Sequence, residues 1–363
     1  MKITRINLMP KRLQLKRAFS SSHETLWQRE LTIVEVVDES GWRGYGELEA
    51  FSQPFYTSET QVTARWIIEH ALGPLILNRD FQTPQALFAS LEPVKENQLA
   101  KAAIDMAVWD LFAKMNRHPL ADALAEAIAT ERTKSVKVGI SIGIQDTPHT
   151  IESISRALEK GYGKVKLKLK GNADLGRIFK VAEHFAGVRF CLDANGSLSY
   201  NSALARQLDQ LHLIMIEDPF GVGERQLSAK LQSEMKTSIC YDEPIESVSD
   251  AVSAVRAGEC RIISMKASMI GGLTPALAMI KAHQQFNFPI WCGGLLEGGV
   301  GRAANLALAS LKVFAYPGDI SETARYYVKD LAVPEFRLTN GTLTVPDQAG
   351  IGVTVSDDGD SVF

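Results

Sequence analysis

Five consecutive short apolar runs each end in one ionisable residue, roughly 25 residues apart, in the order lysine, acid, acid, acid, lysine. They are Val165–Lys168, Phe190–Asp193, Ile214–Glu217, Ile239–Asp242 and Ile263–Lys266. A buried parallel strand reads as a short apolar run, and a strand with its crossover helix takes a few tens of residues. A charge recurring at the same end of each strand therefore falls on one rim of one sheet. In (β/α) barrels that rim carries the chemistry. A charge that ends one apolar run is ordinarily a solvated loop residue. Five in phase and in this order are not explained that way.

The same grammar extends to both sides. From about Thr133, short apolar runs alternate with amphipathic stretches. Val136–Ile142 precedes the five, Pro289–Cys292 follows them, and Leu311–Ala315 is a weaker eighth run. Pro148–Lys160 reads as a helix with proline near its start. Eight such runs with intervening helices predict a barrel rather than an open sheet. Before Thr133 the order differs: strands from Ile3 to about Gly46, then helical spacing from Ser58 to about Lys114. Strands followed by helices predict a separate α+β domain. A length of 363 residues suits a barrel plus a smaller domain. The stretch Leu343–Gly352 has strand and turn character, and Ser356–Asp360 reads as a frayed tail.

Composition removes several classes of partner. The net charge is -3 and no basic block points to nucleic acid or an anionic membrane. No apolar run approaches the roughly 18 residues of a membrane span. The basic N-terminus alternates and contains Pro10, so a strand explains it better than a signal or transit peptide. Cys191, Cys240, Cys260 and Cys292 show no C-x-x-C spacing and read as buried free thiols of a cytoplasmic protein. The histidines show no zinc-type pairing.

Three carboxylates without a soft ligand select a hard, oxygen-liking cation, Mg²⁺ by default with Mn²⁺ as substitute. Without one, Asp193, Glu217 and Asp242 would repel one another and be partly protonated. A cation there could hold a substrate carboxylate and stabilise the charge that builds when the adjacent C–H loses its proton. Lys168 and Lys266 on either side are the candidate acid–base groups, with pKa values expected to be pushed down. Lys164, Lys166, Lys168 and Lys170 alternate and share one face of a strand. For Lys166 and Lys168 the barrel interior is the expected side. For Lys164 and Lys170 a solvent-facing edge is equally consistent.

Two motifs compete. Gly139–Gly143 matches G-x-S-x-G, but β-branched residues flank Ser141, no helix follows at once and no histidine is its obvious partner. The glycine-rich stretch Gly293–Gly301 precedes a helical segment from Arg302 to Leu311. Such a turn could cradle a substrate carboxylate.

Taken together, these residues resemble the enolase superfamily and, within it, the muconate-lactonizing-type subgroup. The resemblance covers nearly the whole chain. Gly44–Glu47 and Ala102–Asp110 look like the landmarks of the capping domain. Lys166-Leu167-Lys168 looks like the K-x-K motif, and Leu192–Asn195, Ile216–Pro219 and Tyr241–Ile245 like the three metal-ligand segments. Met265-Lys266 looks like the opposite lysine. Trp291–Glu297 and Pro317–Ser321 are similar to a narrower group, the o-succinylbenzoate synthases and N-acylamino acid racemases.

The resemblance implies an α/β fold with a modified TIM barrel, (β/α)7β, covered by an α+β capping domain. The expected division is 1–125 for the N-terminal part of the cap, 126–330 for the barrel, and 331–363 for a segment returning to the cap. It implies Lys168 and Lys266 as catalytic groups and Asp193, Glu217 and Asp242 as Mg²⁺ ligands. Lys166, Ser141, Asn195, Gly294 and Leu295 are implied as substrate contacts, with Phe19 and Tyr56 on loops closing over a small-molecule carboxylate. A homo-oligomer is compatible with it. The implied reaction is syn dehydration of 2-succinyl-6-hydroxy-2,4-cyclohexadiene-1-carboxylate to o-succinylbenzoate, a step toward menaquinone. The alternative is racemisation of N-succinylamino acids by the same two lysines. Strong racemases of the family tend to carry arginine three residues after the second lysine, where this chain has Met269. The chain also lacks the D-x-D of dipeptide epimerases, having Ser321-Glu322-Thr323, and the strand-seven histidine of mandelate-type members.

Overall fold

The computed structural model describes residues 1–20, 24–356 and 360–361. The expected frayed tail falls largely on residues 357–359, outside the described residues. Strands β1 (Ile3–Ser20), β2 (Thr25–Asp38) and β3 (Arg43–Leu48) form an antiparallel meander. Against it lies the helix Gln98–Met115, buried along nearly its whole length, its charged Asp105 and Asp110 included. Its alanines make the fit possible. A Cβ on Gly44 or Gly46 would run into the carbonyl oxygens of Ala107 and Ala103, so only glycine lets strand and helix approach this closely.

The chain then enters the barrel through β4 (Ser135–Lys137) and β5 (Gly139–Ile142). Six further strands follow in parallel: β6 (Lys164–Lys168), β7 (Cys191–Asp193), β8 (Met215–Glu217), β9 (Ile239–Tyr241), β10 (Ile262–Met265) and β11 (Ile290–Cys292). β5 to β11 make one seven-stranded sheet in sequence order, curled with helices outside. The weak eighth run, Leu311–Ala315, is not a strand of this sheet; Leu311 instead bridges Arg132. The seam is joined by the end of that run, Ala315, and the residues after it, in irregular backbone. Ala315 and Asp319 N–H groups donate to Ile290 and Cys292 carbonyls (3.1 and 3.0 Å), and Gly139 N–H donates to Gly318 (2.7 Å).

Beyond the barrel, Ser135–Lys137 pairs with Thr342–Thr344, and Asp360–Ser361 pairs with β1. The long helix ties these parts together. Asp110 accepts from the Tyr45 and Ile351 N–H groups (2.8 and 2.7 Å) and from Lys114. Asp105 accepts from the Thr274 N–H and hydroxyl, both at 2.7 Å, at the start of the helix Leu273–Phe286. That helix begins at Gly272, which has no side chain of its own to cap it. The four cysteines are buried and free, as expected. Among the described residues no helix is long and apolar enough to cross a membrane.

Candidate active site

Lys168, Asp193 and Glu217 are the last residues of β6, β7 and β8, and the parallel register sets them side by side. Asp242 and Lys266 come one residue after β9 and β10. All five thus reach one rim of the curled sheet. The alternation along β6 sends Lys164 and Lys166 inside, 2% and 6% exposed, while Lys170 faces out. Lys164 is therefore an interior residue, not the edge lysine its pattern equally allowed.

Each acid is turned to a lysine. Lys168 Nζ lies 3.0 Å from Asp193 Oδ2, Lys166 Nζ 2.8 Å from Glu217 Oε2, and Lys266 Nζ 2.8 Å from Asp242 Oδ2. Among the described residues, no three His, Cys, Asp or Glu side chains are drawn close enough together to chelate an ion as they stand. Yet Glu217 Oε1 and Asp242 Oδ1 are buried without a hydrogen-bond partner among the described residues. Burial pushes the Glu217 carboxyl up to about 8 against the attraction of Lys166, helped by the charges of Asp193 and Asp242. Orphaned carboxylate oxygens in a crowd of like charge fit a hard divalent cation.

Two of the lysines are held strongly by their acids. Burial alone would lower Lys266, but Asp242 and Tyr56 outweigh it and hold the ammonium well above its usual value. Lys166 is held high in the same way, burial being outweighed by Asp319, Glu217 and Asp193. Without a cation in the site, the neighbouring carboxylates thus keep both ammoniums charged.

Neighbouring groups fix the orientation of the set. Asn195 Nδ2 donates to Glu243 (2.8 Å), which leaves its Oδ1 to accept from Lys168 Nζ at 2.7 Å. Asp218 accepts from the N–H groups of Asp242 and Glu243 (3.0 and 2.9 Å), pinning the turn that carries both. From the cap, the Tyr56 hydroxyl accepts from Lys266 Nζ at 2.6 Å.

One cavity gathers Phe19, Tyr56, Ser141, Lys166, Lys168, Asp193, Asn195, Asp242, Lys266, Gly294 and Leu295. Every candidate side chain except Glu217 lines it; Glu217, fully buried, is reached through Lys166. Leu26, Phe51 and Phe55 add an apolar roof. The glycine-rich turn does two different things. Gly293 to Leu296 line the cavity, with Leu296 at φ 55°. The helix Gly299–Ala309 behind them is already capped by the protein's own acids. Glu47 accepts from Gly298 and Gly301 N–H (2.6 and 2.9 Å) and Asp330 from Gly299 N–H (2.8 Å). A substrate anion is therefore not needed at that helix start.

Sequence reasoning placed Asp319 and Trp291 in segments that resemble the family but gave neither a role. Asp319 lies 2.7 Å from Lys166 and 3.1 Å from Lys164, and Lys164 Nζ stands 3.2 Å from the centre of the Trp291 ring. Asp319 sits in irregular backbone, so no strand rhythm marks it. Trp291 lies inside an apolar run, where a tryptophan looks like plain core.

Comparison with known proteins agrees with this geometry. Residues 3–125 match the family model "Mandelate racemase / muconate lactonizing enzyme, N-terminal domain", and 149–359 match "Enolase C-terminal domain-like". An o-succinylbenzoate synthase of Enterococcus faecalis is 40% identical, covering 98% of this chain and 96% of that protein. An N-succinylamino acid racemase of Thermus thermophilus is 36% identical, covering 97% and 95%. A crystal structure of an enolase-superfamily member from Listeria innocua superposes with a TM-score of 0.92 at 39% identity, covering 98% and 95%. The chain belongs to the enolase superfamily, with the N- and C-terminal domains of its mandelate racemase and muconate lactonizing enzymes.

Proposed function

We propose that this chain is a carbon–oxygen lyase that dehydrates 2-succinyl-6-hydroxy-2,4-cyclohexadiene-1-carboxylate to o-succinylbenzoate. The observation that carries the reading is one cavity lined by Lys168, Lys266, Asp193 and Asp242, with Glu217 of the intervening strand buried beside Asp193 and bonded to Lys166. The o-succinylbenzoate synthases at 38% to 40% identity over nearly the full length supply the substrate.

Asp193, Glu217 and Asp242 would hold the divalent cation, Mg²⁺ by preference. When bound it supplies Lewis-acid stabilisation of charge on the substrate carboxylate. Lys168 Nζ takes the proton from the carbon next to that carboxylate, leaving the electron pair as an enolate. Asn195 and Asp193 hold the same Nζ in place, so it can return the proton to the departing hydroxyl. The C–O bond breaks, water leaves, and the ring becomes aromatic. One base on one face gives syn elimination. Lys266, kept cationic between Asp242 and Tyr56, faces the developing charge from the other side. The apolar roof from the cap excludes bulk water, which strengthens both interactions. Residues 1–125, with the chain end that pairs with β1, serve as the lid of this site.

Racemisation of N-succinylamino acids is the second reading, since it would use the same two lysines from opposite faces. Met269 weighs against it. Its side chain is buried with Leu295 in the hydrophobic core of the cap, so no cation stands at that position beside Lys266. The test is to compare kcat/KM for dehydration with that for racemisation of N-succinyl-phenylglycine. Dehydration should dominate and vanish in Lys168→Ala. Comparable efficiencies would move the racemase to first place, and turnover of neither compound would remove both readings.

A further inference from the structure

Lys166 is contested. Its Nζ lies 2.8 Å from Glu217 Oε2 and 3.7 Å from Asp193 Oδ2 on one side, and 2.7 Å from Asp319 Oδ2 on the other. The first two acids are the proposed cation ligands; Asp319 is not. We propose that Asp319 is a positioning residue that draws Lys166 away from Glu217 and Asp193 when the divalent cation binds. The inference rests on the metal reading given above.

The physical need is direct. An ammonium hydrogen-bonded to a ligand oxygen competes with the cation for the same lone pairs, and the two positive charges repel in a low-dielectric interior. Once the cation takes those oxygens, Lys166 needs another acceptor, because a buried charge without a partner is strongly unfavourable. Asp319 is the acceptor already in reach.

The surroundings are built to keep it there. The Asp319 backbone is held by barrel closure, its N–H donating to the Cys292 carbonyl at 3.0 Å. The second claimant on its carboxylate, Lys164, has an alternative partner in the face of Trp291, a favourable site for a desolvated cation. Gly139 completes the arrangement. A Cβ there would come within 2.8 Å of Lys164 Cε and 2.9 Å of Asp319 Oδ1, so the glycine leaves room for the pair. The first glycine of the G-x-S-x-G match thus has a steric role unrelated to a nucleophile.

The experiment is Mn²⁺ binding, by the electron paramagnetic resonance signal of free Mn²⁺, to the full chain without substrate. Compared are the unsubstituted protein, Asp319→Asn, and Asp319→Asn with Lys166→Met, each checked for folding by circular dichroism. Asp319→Asn should bind Mn²⁺ about tenfold more weakly or worse, one step of about 1.4 kcal/mol. Adding Lys166→Met should restore most of that loss, since the competitor is gone. Unchanged affinity in Asp319→Asn overturns the proposal, and so does a loss that Lys166→Met fails to restore, which marks a purely structural role. Failure of the unsubstituted protein to bind Mn²⁺ overturns the metal reading itself, and the proposal with it. If Asp319→Asn does not fold, the same comparison is made on a Lys164→Met background, where one buried ammonium leaves together with the carboxylate.

Discussion

Asp105→Ala is expected to loosen the joint between cap and barrel at a defined cost. Asp105 lies on the long cap helix yet caps a barrel helix, Leu273–Phe286, accepting from the Thr274 N–H and hydroxyl at 2.7 Å each. Trp109, one turn on, donates to the same Thr274 hydroxyl at 2.9 Å. The alanine variant loses this N-cap interaction, about 1 kcal/mol, and the Thr274 hydroxyl bond, about 1 kcal/mol more. Unfolding a chain of 363 residues carries an entropy near 0.8 kcal/mol per degree, so a loss of about 2 kcal/mol lowers Tm by roughly 3 °C. Asp105→Asn separates the hydrogen bonds from the charge. Burial pushes the Asp105 carboxyl up to about 7, against the bonds from Thr274 and Leu273. An acid raised on folding binds more protons folded than unfolded between its ordinary value and about 7. Its contribution therefore declines as pH rises through that window and is level above it. Between pH 5 and 8 the wild type should lose about 3 kcal/mol relative to Asp105→Asn. The assay is thermal denaturation by circular dichroism at a series of pH values. An alanine variant with unchanged Tm would refute the capping argument, and parallel pH profiles for wild type and Asn would refute the buried titration.

Three further outcomes follow from the site and the packing. Dialysis against EDTA should abolish dehydration and added Mg²⁺ or Mn²⁺ should restore it; full activity in excess chelator would leave the three acids without their proposed role. Asn195→Ala frees Lys168 Nζ from one of its two anchors, so kcat should fall about tenfold or more while KM changes little, as for loss of a positioned acid–base group. A fall confined to KM would instead make Asn195 a plain substrate contact. Gly46→Ala drives a Cβ into the Ala103 carbonyl, so soluble yield and Tm should drop sharply, overpacking of this kind costing about 1–3 kcal/mol or more.

The barrel was legible because most of its strands are buried on both faces and so read as short apolar runs, β6 with its lysines excepted. The site was legible because its charges close those runs in phase. The residues that hold these charges in place were much less so. Asn195 and Tyr56 were marked only through the family resemblance, since their contacts join segments far apart in sequence. Tyr56 meets Lys266 across 210 residues, and Asn195 meets Glu243 across 48. The eighth strand failed for a local reason. Closure runs through Ala315–Asp319, where Pro317 and Gly318 break any β pattern, so the apolar run ending at Ala315 was read as the strand.

The glycine-rich turn shows how one pattern can hold two answers. A glycine-rich entry to a helix predicts an acceptor for its N–H groups, and one is there, but it is the Glu47 carboxyl from the cap. That choice has a consequence for the site. The turn carrying Gly293 to Leu296 is fixed at its far end by a cap carboxylate, while Lys266 is bonded to a cap tyrosine. Two walls of the cavity thus depend on the cap being seated on the barrel. A cap that shifts would move Tyr56 and release the turn together. Substrate enclosure and the placement of the second lysine are therefore set by one docking event, which the Asp105 contacts of the long helix with Thr274 hold in place.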